Sequence, residues 1–90
     1  MNPVPKKKRV KNPELIAEMQ NRIKKCEYCG QSPTFFPLDV HHIRSRGVGG
    51  DDSEKNLIVL CRYPCHDRAG KREIPASYLQ YIVERRTWPN

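Results

Sequence analysis

Residues 40–61, VHHIRSRGVGGDDSEKNLIVLC, contain the pattern that decides the fold of this 90-residue chain. Two short runs rich in β-branched residues, LDVHHI at 38–43 and NLIVL at 56–60, predict a pair of antiparallel strands. The loop between them, 44–55, is polar, rich in glycine and longer than a hairpin turn requires. Long loops held by a rigid scaffold often carry function, so we expect the active part of the molecule here.

Helical patterns lie on both sides of the two strands. Asn12 is a suitable N-cap, followed by proline, and apolar residues at helical spacing predict a helix over 13–24. Pro64 begins a short helical pattern that closes with a glycine. Ser77 and Gln80 have the spacing of a capping box, which predicts a last helix from there. The predicted fold class is therefore α+β, with N- and C-terminal helices flanking the strands.

The composition indicates an acidic polymer as the partner. The chain carries a formal net charge of +7, which is typical of nucleic-acid-binding proteins. Its N-terminus has no apolar segment of the signal-peptide type, and its apolar runs stay well below the ~18 residues of a membrane span. We therefore predict a cytoplasmic protein without membrane association. Residues 1–11 read as a disordered basic arm that attracts phosphates, although PKKKRV within it also resembles a nuclear-import signal.

Four cysteines form two close pairs that bracket the predicted strands. The spacing is CxxC in CEYCG and CxxxC in CRYPC, and the residues are Cys26, Cys29, Cys61 and Cys65. In a cytosolic chain such pairs more often bind metal than form disulfides, and a tetrahedral Zn²⁺ takes four thiolates. A chain this short has a small core, filled in part by Phe35 and Phe36, and needs such a staple. We predict a structural zinc at the four thiols, the alternative being four reduced and inert cysteines.

All three histidines fall in the same unit. His41 and His42 end the first strand, and His66 follows Cys65 directly. Neighbours in a strand point to opposite faces, so the two adjacent histidines are expected to do different jobs. Adjacent side chains on a helix diverge by about 100°, so Cys65 can reach zinc while His66 faces the strands. The chain can thus build a closed sulfur site and a second, open site for a metal, water and phosphate.

At these residues the sequence resembles the HNH endonucleases, members of the ββα-metal nuclease superfamily. The resemblance rests on CEYCG, LDVHHI, GVGGDD, KNLIVLC and PCH, and it covers residues 26–70 within a predicted domain of 12–90. It implies a small ββα-metal domain with a structural four-cysteine zinc site. It also implies an enzyme that hydrolyses DNA phosphodiester bonds, of bacterial or phage origin, with Mg²⁺ or Mn²⁺ as catalytic ion.

The resemblance also implies roles for single residues. His41 and His66 are expected to be ligands of the catalytic divalent ion, and His42 is expected to be the general base. Asn56 is expected to orient the loop and the base through hydrogen bonds to the backbone. Two departures from the family pattern bear on these roles. The CRYPC segment is one residue longer than the usual CxxC, which affects the direction of His66, and the family's position one turn further on is Gly70 here.

Three arginines are candidates for contacts with DNA phosphates: Arg44, Arg46 and Arg68. For each of them alone, a solvated surface role is an equally good interpretation.

A monomer or weak dimer with one such site is expected to nick one strand per encounter, with low sequence specificity. Two further functions stay open, a non-catalytic zinc-stabilised nucleic-acid-binding module and a zinc-stapled protein-interaction domain. The first explains the charge and the cysteines but not the histidines and Asn56.

Overall fold

A computed structural model describes residues 10–34 and 36–87 of the chain. The regular elements are α1 Pro13–Arg22, β1 Leu38–His42, a 3₁₀ turn Arg46–Val48, β2 Leu57–Cys61, α2 Asp67–Gly70 and α3 Ala76–Glu84. The predicted α+β class, with two antiparallel strands between helices, is confirmed. Within the described residues, every helix is too short to cross a lipid bilayer.

The two strands pair over their whole length and end with the histidines. They run antiparallel, with Leu38 opposite Cys61 and His42 opposite Leu57. The predicted strands are thus confirmed to within one residue at each end. The register places the adjacent histidines at the same end of the hairpin as the long loop, and the last cysteine of β2 at the other end.

Strand β2 is the centre of the fold, and all five of its residues are buried. Because side chains alternate along a strand, Leu57 and Val59 pack on one face against Met19 of α1. Ile58 and Leu60 pack on the opposite face with buried side chains of α2 and α3. Each such side chain contributes roughly 1.5–3 kcal/mol through burial, so the small core still holds helices on both faces of the hairpin.

Helix α1 begins as the sequence predicts and ends slightly earlier. Asn12 is the N-cap, and its Oδ1 accepts a hydrogen bond of 3.1 Å from the backbone N–H of Leu15. The helix ends at Arg22, because Ile23 is extended while its backbone N–H still bonds to Met19 O at 2.9 Å. This bend leaves Ile23 packed against the Met19 cluster and directs the chain towards the first cysteine pair.

Two predictions, one about the start of the last helix and one about the core, are wrong. Helix α3 begins at Ala76 after Pro75, so Ser77 lies inside the helix and Gln80 donates to Lys55 O at 2.8 Å instead of closing a capping box. Pro75, with its fixed φ, begins the helix in place of the serine. Phe36 is 45% exposed and packs on the Tyr63 ring, so it does not fill the core; the prediction for Phe35 lies outside the described residues.

The segment after β2 is also less regular than predicted. Residues Arg62–His66 form an irregular turn in which Tyr63 is extended, and α2 is confined to Asp67–Gly70. The C-cap of α2 is Lys71 rather than the predicted glycine. Pro64 therefore lies in the turn and does not start the helix.

A largely buried ion pair joins the C-terminal end of the fold to the first cysteine turn. Arg86 donates from Nε to Glu27 Oε2 at 2.7 Å and from Nη2 to Glu27 Oε1 at 2.9 Å. Glu27 Oε1 also accepts the backbone N–H of Val59 at 2.8 Å, and Arg86 Nη2 donates to Leu57 O at 2.6 Å. Such bidentate pairs give geometric specificity, and this one fixes the cysteine turn relative to β2.

Candidate functional site

Four thiols converge at the end of the hairpin opposite the long loop. Cys26 and Cys29 come from the turn after α1, whereas Cys61 and Cys65 come from β2 and the turn that follows. Their sulfur atoms all lie within 4.8 Å of one another, and Cys29 Sγ is 3.8 Å from Cys61 Sγ. Four sulfurs placed at 2.3 Å around a tetrahedral ion would be about 3.8 Å apart. The four cysteines can therefore hold a metal ion with little movement.

The backbone and the burial of these cysteines support the same interpretation. Gly30 has φ of +80° and donates to Cys26 O at 2.9 Å, which closes the first cysteine turn. Cys61 and Cys65 are almost fully buried. Burial raises the pKa of both thiols, so their thiolates are favoured only when a cation is bound.

His41 and His66 meet at the other end of the sheet. Their rings are 5.1 Å apart between centroids, with an angle of 66° between the planes. Asp39 lies on the same face of β1 as His41, and its Oδ2 is 2.9 Å from His66 Nδ1. Arg62 donates to both oxygens of Asp39, at 3.2 and 3.1 Å. The carboxylate thus engages Nδ1 of His66 and leaves Nε2 as the ring nitrogen open to a ligand.

The electrostatics of this group favour neutral imidazole. Burial, together with the nearby His66 and His42, lowers the pKa of His41 to about 4. Although partial burial opposes it, hydrogen bonding from Arg62 and His66 lowers the pKa of Asp39. At neutral pH, His41 is therefore uncharged and Asp39 is ionised, which are the states in which imidazole binds a metal and a carboxylate orients a histidine.

The extra residue of CRYPC does not turn His66 away from the strands. The irregular turn Arg62–His66 absorbs it, since Tyr63 is extended with φ of −141° and ψ of 133°. His66 still stacks edge-on against His41. Gly70, one turn further on, contributes no side-chain ligand, so His41 and His66 are the two nitrogen donors that the described residues bring together here.

His42 projects from the opposite face of β1, as strand alternation predicts, and contacts Asp52. Its Nε2 is 2.7 Å from Asp52 Oδ1; the Asp52 side chain is buried at 4% exposure, and the His42 side chain is partly buried at 9%. Arg46 Nε also lies 3.5 Å from the same Nε2. One ring nitrogen cannot donate to a carboxylate and accept from a guanidinium at once, so the shorter contact determines the geometry.

Asn56 ties the two ends of the long loop together. Its Oδ1 accepts from the backbone N–H of Arg44 at 2.7 Å, while its Nδ2 donates to Arg44 O at 3.1 Å and to Asp51 O at 2.8 Å. Its own backbone O accepts from Ile43 N–H at 2.8 Å. The three contacts of the side chain all go to backbone atoms, and they hold Arg44 and Asp51 together at the point where Asp52 meets His42.

Gly50 lets the loop fold back on itself. A Cβ at this position would lie 1.7 Å from Arg44 O, which is a backbone atom and cannot rotate away. The Gly50 N–H bonds to Ser45 O at 2.9 Å. This close approach of two backbone segments admits glycine only.

Replacement of Gly50 by alanine is therefore expected to destabilise the fold by roughly 1–3 kcal/mol, the usual cost of overpacking. Gly47→Ala is the matched control, because a Cβ there meets only Ser45 Oγ at 3.9 Å. Urea denaturation of both variants measures the free energy of unfolding. Equal stability of the two variants would contradict the close contact at Gly50.

All three histidines line one cleft of about 520 Å³, together with Ser45, Arg46 and Gly47. A neighbouring groove runs between the long loop and α3, and it includes Arg44 and Arg72. Of the three predicted arginines, Arg44 and Arg46 are thus brought to the site. Arg68 is not among the described residues that line the cleft or the groove, and its Nε lies 3.6 Å from Glu73 Oε1.

Three residues at the site were missed by sequence reasoning: Asp39, Asp52 and Arg72. Asp39 carried a readable signal, because it lies two positions before His41 and so shares its strand face. For Asp52 the sequence offers no such signal, except that it is one of two adjacent aspartates in the loop. Arg72 lines the groove from the turn after α2, and its φ of 60° is uncommon for a residue with a side chain.

Comparison with known proteins identifies the family of this site. The family model of the HNH endonucleases matches residues 26–72, just over half of the chain. The matched segment contains the four cysteines, the three histidines and the long loop. A comparison with curated protein sequences found no significant match.

Proposed function

We propose, because the chain belongs to the HNH endonuclease family, that it is a metal-dependent endonuclease that hydrolyses phosphodiester bonds in DNA. In this proposal it nicks one strand per site with little sequence preference, as a monomer or weak dimer in the cytoplasm. The observation that carries the proposal is the convergence of His41, His42 and His66 on one cleft beside a glycine-rich loop. A module that only binds nucleic acid has no need of three imidazoles there.

We assign the catalytic ion, Mg²⁺ or Mn²⁺, to His41 and His66. Both imidazoles lie at the cleft, and the contact of Asp39 with Nδ1 of His66 keeps that ring oriented. When bound, the ion would stabilise the negative charge that develops on the phosphoryl group and the leaving oxygen. Because these two imidazoles are the protein ligands assigned to it, water and phosphate oxygens would complete the coordination of the bound ion.

His42 is assigned the role of general base and Asn56 the role of a positioning residue. The proposed base takes a proton from the attacking water, because imidazole is the side chain that most often serves as a general base in enzymes. Asn56 acts indirectly, by holding the loop that places Asp52 against His42. Arg44 and Arg46 are assigned to DNA phosphates because they border the cleft and groove; Arg68 stays a prediction without such support.

Zn²⁺ is the ion we assign to the four cysteines. A closed set of four thiolates matches structural zinc sites, and it leaves no open position for chemistry. In this proposal, zinc stabilises the fold, while a separate hard divalent ion serves the histidines.

The test is the cleavage of supercoiled plasmid by the purified protein with Mg²⁺ or Mn²⁺ as the added ion. Open-circular DNA is expected first and linear DNA later, because one site cuts one strand per encounter. Binding of DNA in a gel-shift assay without any nicking under either ion would favour the alternative, a zinc-stabilised nucleic-acid-binding module. Total zinc, measured on the same sample, separates a loss of fold from a lack of activity.

The basic segment before α1 is expected to make DNA binding steeply dependent on salt. Lysines 6–8 lie in it, and each phosphate neutralised on duplex DNA contributes about 0.9 to the slope of log K against log salt. Replacing the three lysines by glutamine should weaken binding and flatten this slope, while replacing them by arginine should preserve both. Fluorescence anisotropy across a salt series measures the slope. An unchanged slope in the glutamine variant would assign this segment to another role.

A further inference from the structure

The carboxylate of Asp52 contacts His42 and is itself held in place by the residues that precede α1. Asp52 Oδ1 is 2.7 Å from His42 Nε2, and the Asp52 residue is only 5% exposed. Its other oxygen, Oδ2, accepts the backbone N–H of Asn12 at 2.9 Å. The Asp52 N–H in turn donates to Val10 O at 2.8 Å. The carboxylate is thus fixed from the N-terminal side, by the residues that lead into α1.

This arrangement selects one tautomer of the imidazole. An ionised carboxylate only accepts hydrogen bonds, so Nε2 of His42 must carry the proton that Asp52 binds. In a neutral imidazole the other nitrogen, Nδ1, is then an acceptor. Nδ1 has no hydrogen-bond partner within the described part of the chain. Since no buried side-chain nitrogen or oxygen there lacks a partner, Nδ1 keeps some access to solvent, although the His42 side chain is only 9% exposed.

We propose that Asp52 is a positioning residue for catalysis, whose buried carboxylate holds His42 as the Nε2–H tautomer and directs Nδ1 into the histidine cleft. The inference rests on the proposed role of His42 as the base. Nδ1 then takes the proton of the attacking water, and Asp52 stabilises the imidazolium that forms. The same logic operates where a carboxylate orients a catalytic histidine in serine proteases.

The substitution Asp52→Asn separates this role from simple packing. The backbone N–H of Asn12 still needs an acceptor, so the amide oxygen is expected to face Asn12. The amide NH₂ then faces Nε2 of His42, which must become an acceptor and shift its proton to Nδ1. The base atom would be blocked although the shape of the site is kept. Asp52→Glu, which keeps a carboxylate, is the matched control.

The experiment measures single-turnover cleavage of plasmid DNA at saturating Mn²⁺, together with DNA affinity and the tautomer of His42 from ¹⁵N NMR. For Asp52→Asn we expect a loss of cleavage of about 10²–10⁴-fold, with DNA affinity unchanged and no rescue by more metal. Asp52→Glu should retain more activity. The ¹⁵N spectrum should give the Nε2–H tautomer in the unmodified protein and the Nδ1–H tautomer in Asp52→Asn.

A double-mutant cycle tests whether Asp52 acts through His42. On a His42→Ala background, Asp52→Asn should cause no further loss of cleavage. A further loss of the same size would overturn the proposal, because it would mean that the carboxylate supports the site by another route. An Nδ1–H tautomer in the unmodified protein would overturn it as well, even if the variant fails to fold. If the unmodified protein cuts no DNA, the proposed function fails, whereas the tautomer measurement still decides the contact.

Discussion

Replacement of Cys61 by serine is expected to unfold the domain under conditions where the unmodified protein is fully folded. The four thiols tie the turn after α1 to the end of β2 and to the turn before α2, and three of the four cysteines are almost fully buried. A structural zinc supplies on the order of 10 kcal/mol of folding free energy in small domains, which matches or exceeds the total stability of a typical domain. Circular dichroism against temperature, with zinc analysis of each sample, measures the effect.

A strong chelator should produce the same loss of structure in the unmodified protein, and added zinc should restore it. Val48→Ser is a suitable control, because Val48 is 61% exposed and far in sequence from the cysteines. That variant should keep its zinc and its melting temperature within a few degrees. Full stability and full metal content in Cys61→Ser would rule out a structural zinc at this position.

Replacement of His42 by alanine is expected to abolish most DNA cleavage while leaving the metal and DNA sites in place. The imidazole lines the same cleft as His41 and His66, but its carboxylate partner is Asp52, whereas Asp39 contacts His66. Loss of a general base costs typically 10²–10⁴-fold in rate. Plasmid nicking at saturating ion measures the rate, while anisotropy measures the DNA affinity, which should be unchanged.

The two proposed ligands should respond differently. His41→Ala and His66→Ala should raise the concentration of divalent ion that gives half-maximal cleavage, and high ion should restore part of the rate. High concentrations of divalent ion should restore cleavage in the two ligand variants but not in His42→Ala, and this difference distinguishes the ligands from the base. If His42→Ala cleaves DNA at the rate of the unmodified protein under limiting ion, His42 is not the general base. The His41→Ala and His66→Ala variants would still test the two ligands.

Local patterns were sufficient to predict the frame of the site. Alternation in LDVHHI and NLIVL predicted the hairpin, and two cysteine pairs at its ends predicted the cluster of thiols. Alternation also predicted that His41 and His42 would point to different sides. These features depend on neighbours in sequence, whose relative geometry follows from the strand or turn in which they lie.

Predictions failed where a competing local signal was stronger than the one used. The capping-box pattern at Ser77 and Gln80 was overridden by Pro75, whose ring presets the helix start nearby. Phe36 was assigned to the core by its hydrophobicity alone, yet β2 with the helices already fills that space. A short chain has few core positions, and sequence composition does not tell which aromatic residues occupy them.

By itself, then, the sequence determined the fold class, the hairpin, the four-cysteine cluster and the family. The tertiary structure alone decided which carboxylate faces which imidazole. Asp39 meets His66 across 27 positions and Asp52 meets His42 across 10, while Glu27 meets Arg86 across 59. Side chains so far apart in sequence come together only through the path of the intervening chain, here the irregular turn after β2, the loop tied by Asn56 and the docking of α3. No local periodicity encodes that path, because it results from the packing of the whole core.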